Sequence, residues 1–104
     1  MNDNQNQEFF RKRDAKAVPH LEQYAPVWIV DEKLIPVEDA IQFNVVFRHP
    51  RYGWVNRRYR YDIFNDVLYH KGQRKISEDE AVDIQDSVAY ITRVVADIPN
   101  SYGG

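Results

Sequence analysis

Residues 40–48 constrain the fold more than any other stretch of the chain. Ile41, Phe43, Val45 and Phe47 fall on one side, while Gln42, Asn44, Val46 and Arg48 fall on the other. This is the period-2 pattern of a strand with one apolar face. His49-Pro50-Arg51-Tyr52-Gly53 follows. Proline presets one turn dihedral and glycine accepts a positive φ, so the segment predicts a turn. Residues 54–63 predict the return strand, with Val55, Arg57, Tyr59, Tyr61 and Ile63 on one side and Trp54, Asn56, Arg58, Arg60 and Asp62 on the other. A second turn at Phe64-Asn65-Asp66 leads into a third strand, residues 67–70, stopped by Lys71-Gly72. The result is an antiparallel meander with one bare apolar face that needs a cover.

Residues 27–31 (VWIVD) predict a further short strand. Residues 34–37 are a possible partner for it, but Pro36 demotes them to an edge or a connection. Ser77-Glu78-Asp79-Glu80 has the spacing of a capping box, with Ile76 and Ala81 placed for a hydrophobic staple. Ala81, Ile84, Val88, Ile91, Val95 and Ile98 then recur at helical steps, so residues 78–97 predict one amphipathic helix ended by Pro99. The expected fold is therefore α+β: a three- to four-stranded antiparallel meander covered on one face by a long C-terminal amphipathic helix. The helix stripe is expected to lie across Ile41, Phe43, Val45 and Phe47. With 104 residues the chain is sized for one domain. Residues 17–99 are assigned to it, residues 1–16 to a flexible N-terminal tail and residues 100–104 to a flexible C-terminal tail. The first seven residues are nearly all Asn, Gln and Asp, which bury too little apolar surface to offset ordering. Pro19 and Pro26 leave room between them for one helical turn at most.

Acid–base and metal chemistry need groups brought together, and His20, His49 and His70 lie one to a segment. They form no i, i+4 pair on a helix, so no metal-ligand spacing is visible. Ser77 is used as a cap, Ser87 has no histidine at helical spacing, and no G-x-S-x-G elbow occurs. Gly53, Gly72, Gly103 and Gly104 are not clustered as a phosphate loop requires. Glu78, Asp79, Glu80, Asp83 and Asp86 stand in the first helical turns, where the helix dipole favours them without any function. The chain has no cysteine, which excludes disulfides, thiolate catalysis and Cys-ligated zinc or iron–sulfur centres. The expectation is a non-catalytic protein with no metal and no cofactor. The alternative of an enzyme with a site assembled from scattered residues ranks lowest.

Charge is the uneven feature. Residues 40–61 hold five arginines and no acid, while the remaining chain has nine basic and sixteen acidic residues. The basic hairpin also carries Tyr52, Trp54, Tyr59 and Tyr61. Arginine interleaved with aromatics suits a protein interface, where Arg, Tyr and Trp dominate binding energy. It equally suits phosphates and stacked bases. A third reading pairs the arginines with acids or rings inside the fold. The expected binding surface is Arg48, Arg51, Tyr52, Trp54, Arg58 and Arg60, with Trp54, Arg58 and Arg60 facing water. The expected partner is a protein, with nucleic acid as the alternative and no membrane. The order βββα resembles that of double-stranded-RNA-binding domains in element order alone, since Glu78, Asp79 and Glu80 stand where that family carries phosphate-gripping lysines. The first residues, MNDNQNQEFF, form neither a basic nor an apolar leader segment, and the expected location is the cytoplasm. The reading is of a small accessory or regulatory protein.

Overall fold

The computed structural model describes residues 3–87. The elements run α1 (Asp3–Leu21), a 3-10 turn (Glu22–Tyr24), β1 (Trp28–Ile35), a second 3-10 turn (Pro36–Glu38), β2 (Ala40–His49), β3 (Gly53–Asp62), β4 (Val67–Lys75) and α2 (Glu78–Ser87). The strands make one antiparallel sheet in the order β1-β2-β3-β4. The α+β class and the meander are therefore as the sequence predicts.

Register explains the two faces. Ile41 lies opposite Tyr61, Phe43 opposite Tyr59 and Phe47 opposite Val55, so the apolar sets of β2 and β3 share one face. The β2–β3 turn closes as expected. Gly53 takes φ 78°, and His49 Nδ1 accepts the backbone N–H groups of Arg51 and Tyr52 at 3.0 and 3.3 Å. At the β3–β4 turn the Asp62 carboxylate accepts from the Asn65 backbone at 2.9 Å. Two strands run longer than predicted. β1 is continuous to Ile35, so Pro36 falls after its end rather than inside a partner strand. β4 passes through Lys71 and Gly72 to Lys75, because the register shifts opposite Arg58 and Tyr59 and leaves Lys71 as an extra, bulged residue.

The cover of the first face differs from the expectation. Residues 3–16, expected in a flexible tail, belong instead to α1, and this helix packs on Ile41, Phe43, Val45 and Phe47. Its inner stripe is Phe10, Arg13, Ala17 and Leu21, at steps of three, four and four. Ala17 and Leu21 are buried, and Phe9 and Phe10 pack against the same core. Arg13 is only 3% exposed. Its guanidinium lies 4.6 Å from the Phe43 ring centroid and pairs with Glu32 of β1. Packing of this stripe outweighs the poor propensity of the polar first turns, which tertiary contact routinely overrides. Pro19 is tolerated inside the final turn, where its missing N–H costs a single helical bond.

The C-terminal helix is real but serves the opposite face. Ser77 Oγ accepts the Glu80 N–H at 3.1 Å, so the cap forms. The Glu80 carboxylate turns instead to Arg74, 2.9 Å away. Ala81 and Ile84 pack with Val30, Val46, Trp28, Trp54 and Ile76 on the second face, not on Phe43 and its neighbours. Val88, Ile91, Val95 and Ile98 of the stripe, together with residues 100–104, lie outside the described residues. Because Leu21 is fully buried at the α1–sheet interface, Leu21→Ala should destabilise the fold by about 2–5 kcal/mol in denaturant melts. A neutral result would mean that α1 does not cover the sheet.

Candidate binding face

The second face of the sheet is apolar only at the α2 end. Beyond Trp28, Val46 and Trp54 it becomes polar: Gln42 and Asn44 on β2, Asn56 and Arg58 on β3. The alternation that buries Phe43 and Tyr59 on the first face necessarily places these residues on the second. Asn44 Nδ2 donates to Asn56 Oδ1 at 2.9 Å. Arg58 sits between Asn44 of β2 and Gly72 of β4. Glycine leaves the space beside the guanidinium stem open. A groove crosses this face in two lobes, of about 170 and about 240 Å³, which share Asn44 and Arg58. Lys71 and Arg74 wall one lobe, and Asp31 and Lys33 wall the other.

The cations here fall into two groups. Arg74 pairs with Glu80 at 2.9 Å and Arg60 with Glu38 at 2.7 Å. Arg58, Lys33 and Lys71 make no hydrogen bond or ion pair among the described residues. The groove therefore presents three unpaired cations, with the Asp31 carboxylate in the wall of one lobe, over a floor of neutral amides.

The residues expected from sequence are divided by the fold. Arg58 is exposed at the centre of the second face, and Arg48 is exposed at its margin, opposite Trp54. Arg60 shares the face but is engaged by Glu38. Trp54 is not left in water: it is half-buried at the α2 end, 5.9 Å from the Trp28 ring. Its indole is apolar surface that α2 covers. Arg51 and Tyr52 are exposed at the hairpin tip and do not line the groove. Lys33, Asn44, Asn56 and Lys71 were not anticipated. The polar side of β2 carried a signal for Asn44, but nothing local linked Lys33 or Lys71 to it.

The first face holds a second polar cluster. The three histidines of the chain converge around Tyr24 and Tyr59, although no spacing links them. The His20 and His70 rings lie 5.7 and 5.8 Å from the Tyr59 ring, and His49 lies 6.0 Å from Tyr24. The Arg57 guanidinium carbon lies over the rings of Tyr24 and Phe47, 4.9 and 5.0 Å from their centroids. It donates to Tyr59 Oη at 2.9 Å and to Gln73 at 2.7 Å. Burial opposes its charge, yet hydrogen bonds to Tyr59 and Tyr24 raise its pKa further. Because the Tyr59 oxygen accepts from Arg57, its own proton is free for His20 Nε2, 2.9 Å away. That bond calls for a neutral imidazole with its proton on Nδ1.

Burial first, and then the charge of Arg57, hold both His20 and His70 below the ordinary histidine pKa. As pH falls, the unfolded chain takes up these protons before the folded one. The associated stability is fully present above about pH 6.5 and is lost progressively below it. Denaturant midpoints should therefore fall between about pH 7.5 and about pH 5.5. Replacing both residues, His20→Gln with His70→Gln, should flatten that fall, and an equally steep profile would show that other groups govern it.

Comparison with family models, with curated proteins and with solved structures gives no match. Among the described residues, no helix is long and apolar enough to cross a membrane. Nor do three or more His, Asp or Glu side chains there group as a metal site would require.

Proposed function

We propose that this protein is a small non-catalytic binding domain, accessory or regulatory in role, that docks a protein partner on the second face of its sheet. The observation that carries the reading is Arg58. It stands at the centre of an exposed sheet face, has no partner among the described residues, and lies beside a groove floored by Asn44 and Asn56. Arginine offers five donors in a fixed fork and is over-represented among residues that dominate protein interfaces. The amide floor can both donate to and accept from a peptide main chain. Arg48 extends the surface at the margin of the face, and Arg51 with Tyr52 extends it at the hairpin tip.

Nucleic acid, the alternative, has less support. Single strands bound on a sheet need open rings to stack on. Trp54 is occupied beneath α2, and Tyr59 and Tyr61 are buried on the other face. Two of the arginines that would grip phosphate, Arg60 and Arg74, are held by Glu38 and Glu80.

Arg58→Glu should change stability by less than about 0.5 kcal/mol, as expected of an exposed position, and should abolish capture of the partner retained by the wild-type chain after nuclease treatment. Arg60→Glu should weaken capture less. Binding retained by the Arg58→Glu chain would overturn the reading. Capture that disappears with nuclease, or falls steeply with salt, would transfer it to nucleic acid.

A further inference from the structure

The cluster on the first face has an electrostatic vacancy that the docking face does not explain. Arg57 is 6% exposed, and the acceptors it meets are neutral: Gln73, Tyr59 and Tyr24. None of the ion pairs among the described residues includes it. A buried cation is ordinarily matched by a carboxylate, and without one its field stays uncompensated. His20 and His70 flank it from α1 and β4, and both are exposed to solvent.

The other groups facing this point are Tyr24 from the 3-10 turn, His49 from β2, Tyr59 from β3 and Gln73 from β4. Glu22, the nearest acid in sequence, makes no side-chain hydrogen bond or ion pair among the described residues. The Lys16–Asp66 pair lies one helical turn from His20, and there the Asp66 carboxylate is matched by Lys16 and also accepts from Tyr61. Arg57 is the charged side chain that acts on both His20 and His70, and its charge is positive.

We propose that His20 and His70, backed by the buried charge of Arg57, form a site for an oxyanion of the phosphate or sulfate class. Such an anion offers only acceptors, and imidazolium groups supply strong, charge-assisted donors. His20 commits Nε2 to Tyr59, which leaves its Nδ1–H for the ligand. One ring nitrogen of His70 donates to the Gly72 backbone, and protonation of the other supplies a donor for the ligand. The anion supplies the negative charge that the fold omits beside Arg57. Its arrival makes protonation of His70 favourable, while His20 stays neutral with its Nε2 accepting from Tyr59, so binding takes up a proton and tightens as pH falls. The site lies on the opposite side of the sheet from Arg58 and is independent of the docking proposal.

Sulfate is the cleanest probe, because its charge stays fixed while the histidines titrate. Binding followed by NMR at constant ionic strength should be about tenfold weaker at about pH 8 than at about pH 6. The ring-proton signals of His20 and His70 should move more than those of His49. His70→Gln should weaken binding and reduce its pH dependence, and His20→Gln, which removes the Nδ1–H donor, should weaken it. Lys12→Gln, which removes a cation of α1 outside the cluster, should leave it unchanged. Inorganic phosphate and phenyl phosphate, compared at the lower pH, separate the sources. Tighter binding of the ester marks a phosphomonoester, equal binding marks the free anion, and both support the site. Affinity that ignores pH, or that survives both histidine substitutions, would overturn it.

Discussion

Burying a guanidinium without a carboxylate is the constraint around which the first face is arranged. Arg57 must point inward, because the alternation of β3 that buries Tyr59 and Tyr61 carries it to the same side. Its charge is met by aromatic faces and by neutral oxygens: Tyr24 and Phe47 beneath the plane, Tyr59 and Gln73 at its edge. Each of these partners comes from a different part of the chain. The 3-10 turn must follow α1 directly to bring Tyr24 over Phe47, where the rings stack at 4.5 Å. β4 must reach past Lys71 to bring Gln73. The length of β4 and the placement of α1 thus answer one requirement.

The two helices divide the sheet between them. α1 dries the first face along its length and is held at β1 by the Arg13–Glu32 pair. α2 covers only the end of the second face, where the two tryptophans meet. The remaining area has an amide floor and a central arginine, so it is comfortable in water and equally able to exchange that water for a polar partner. A domain with both faces dried by helices would offer no such surface.

Strands and turns were legible in the sequence because their signals are local. The period-2 alternation of β2 and β3, Pro50 with Gly53, and Ser77 three residues before Glu80 each specify geometry within a few residues. α1 was illegible for a definite reason: its inner stripe contains Arg13, which packs as a flat ring-stacking group but counts as a charge in any hydropathy pattern. The stripe of Ala81 and Ile84 announced an amphipathic helix without saying which face it would cover. The candidate sites are long-range products of the sheet register. No local spacing brings His20 beside His70, or Lys33 near Arg58. Alternation alone named Arg58, at the centre of the proposed docking face.

Both margins of the sheet carry an irregularity. β1 shifts register between Val30 and Lys33, where Asp31 takes a left-handed conformation, and β4 bulges at Lys71. Lysine stands beside each break. A bulged edge lined with charge is a poor template for another strand, since the ladder cannot continue in step and each added strand buries an ammonium group. Both margins of this meander thus carry a break and a charge that oppose the addition of a further strand.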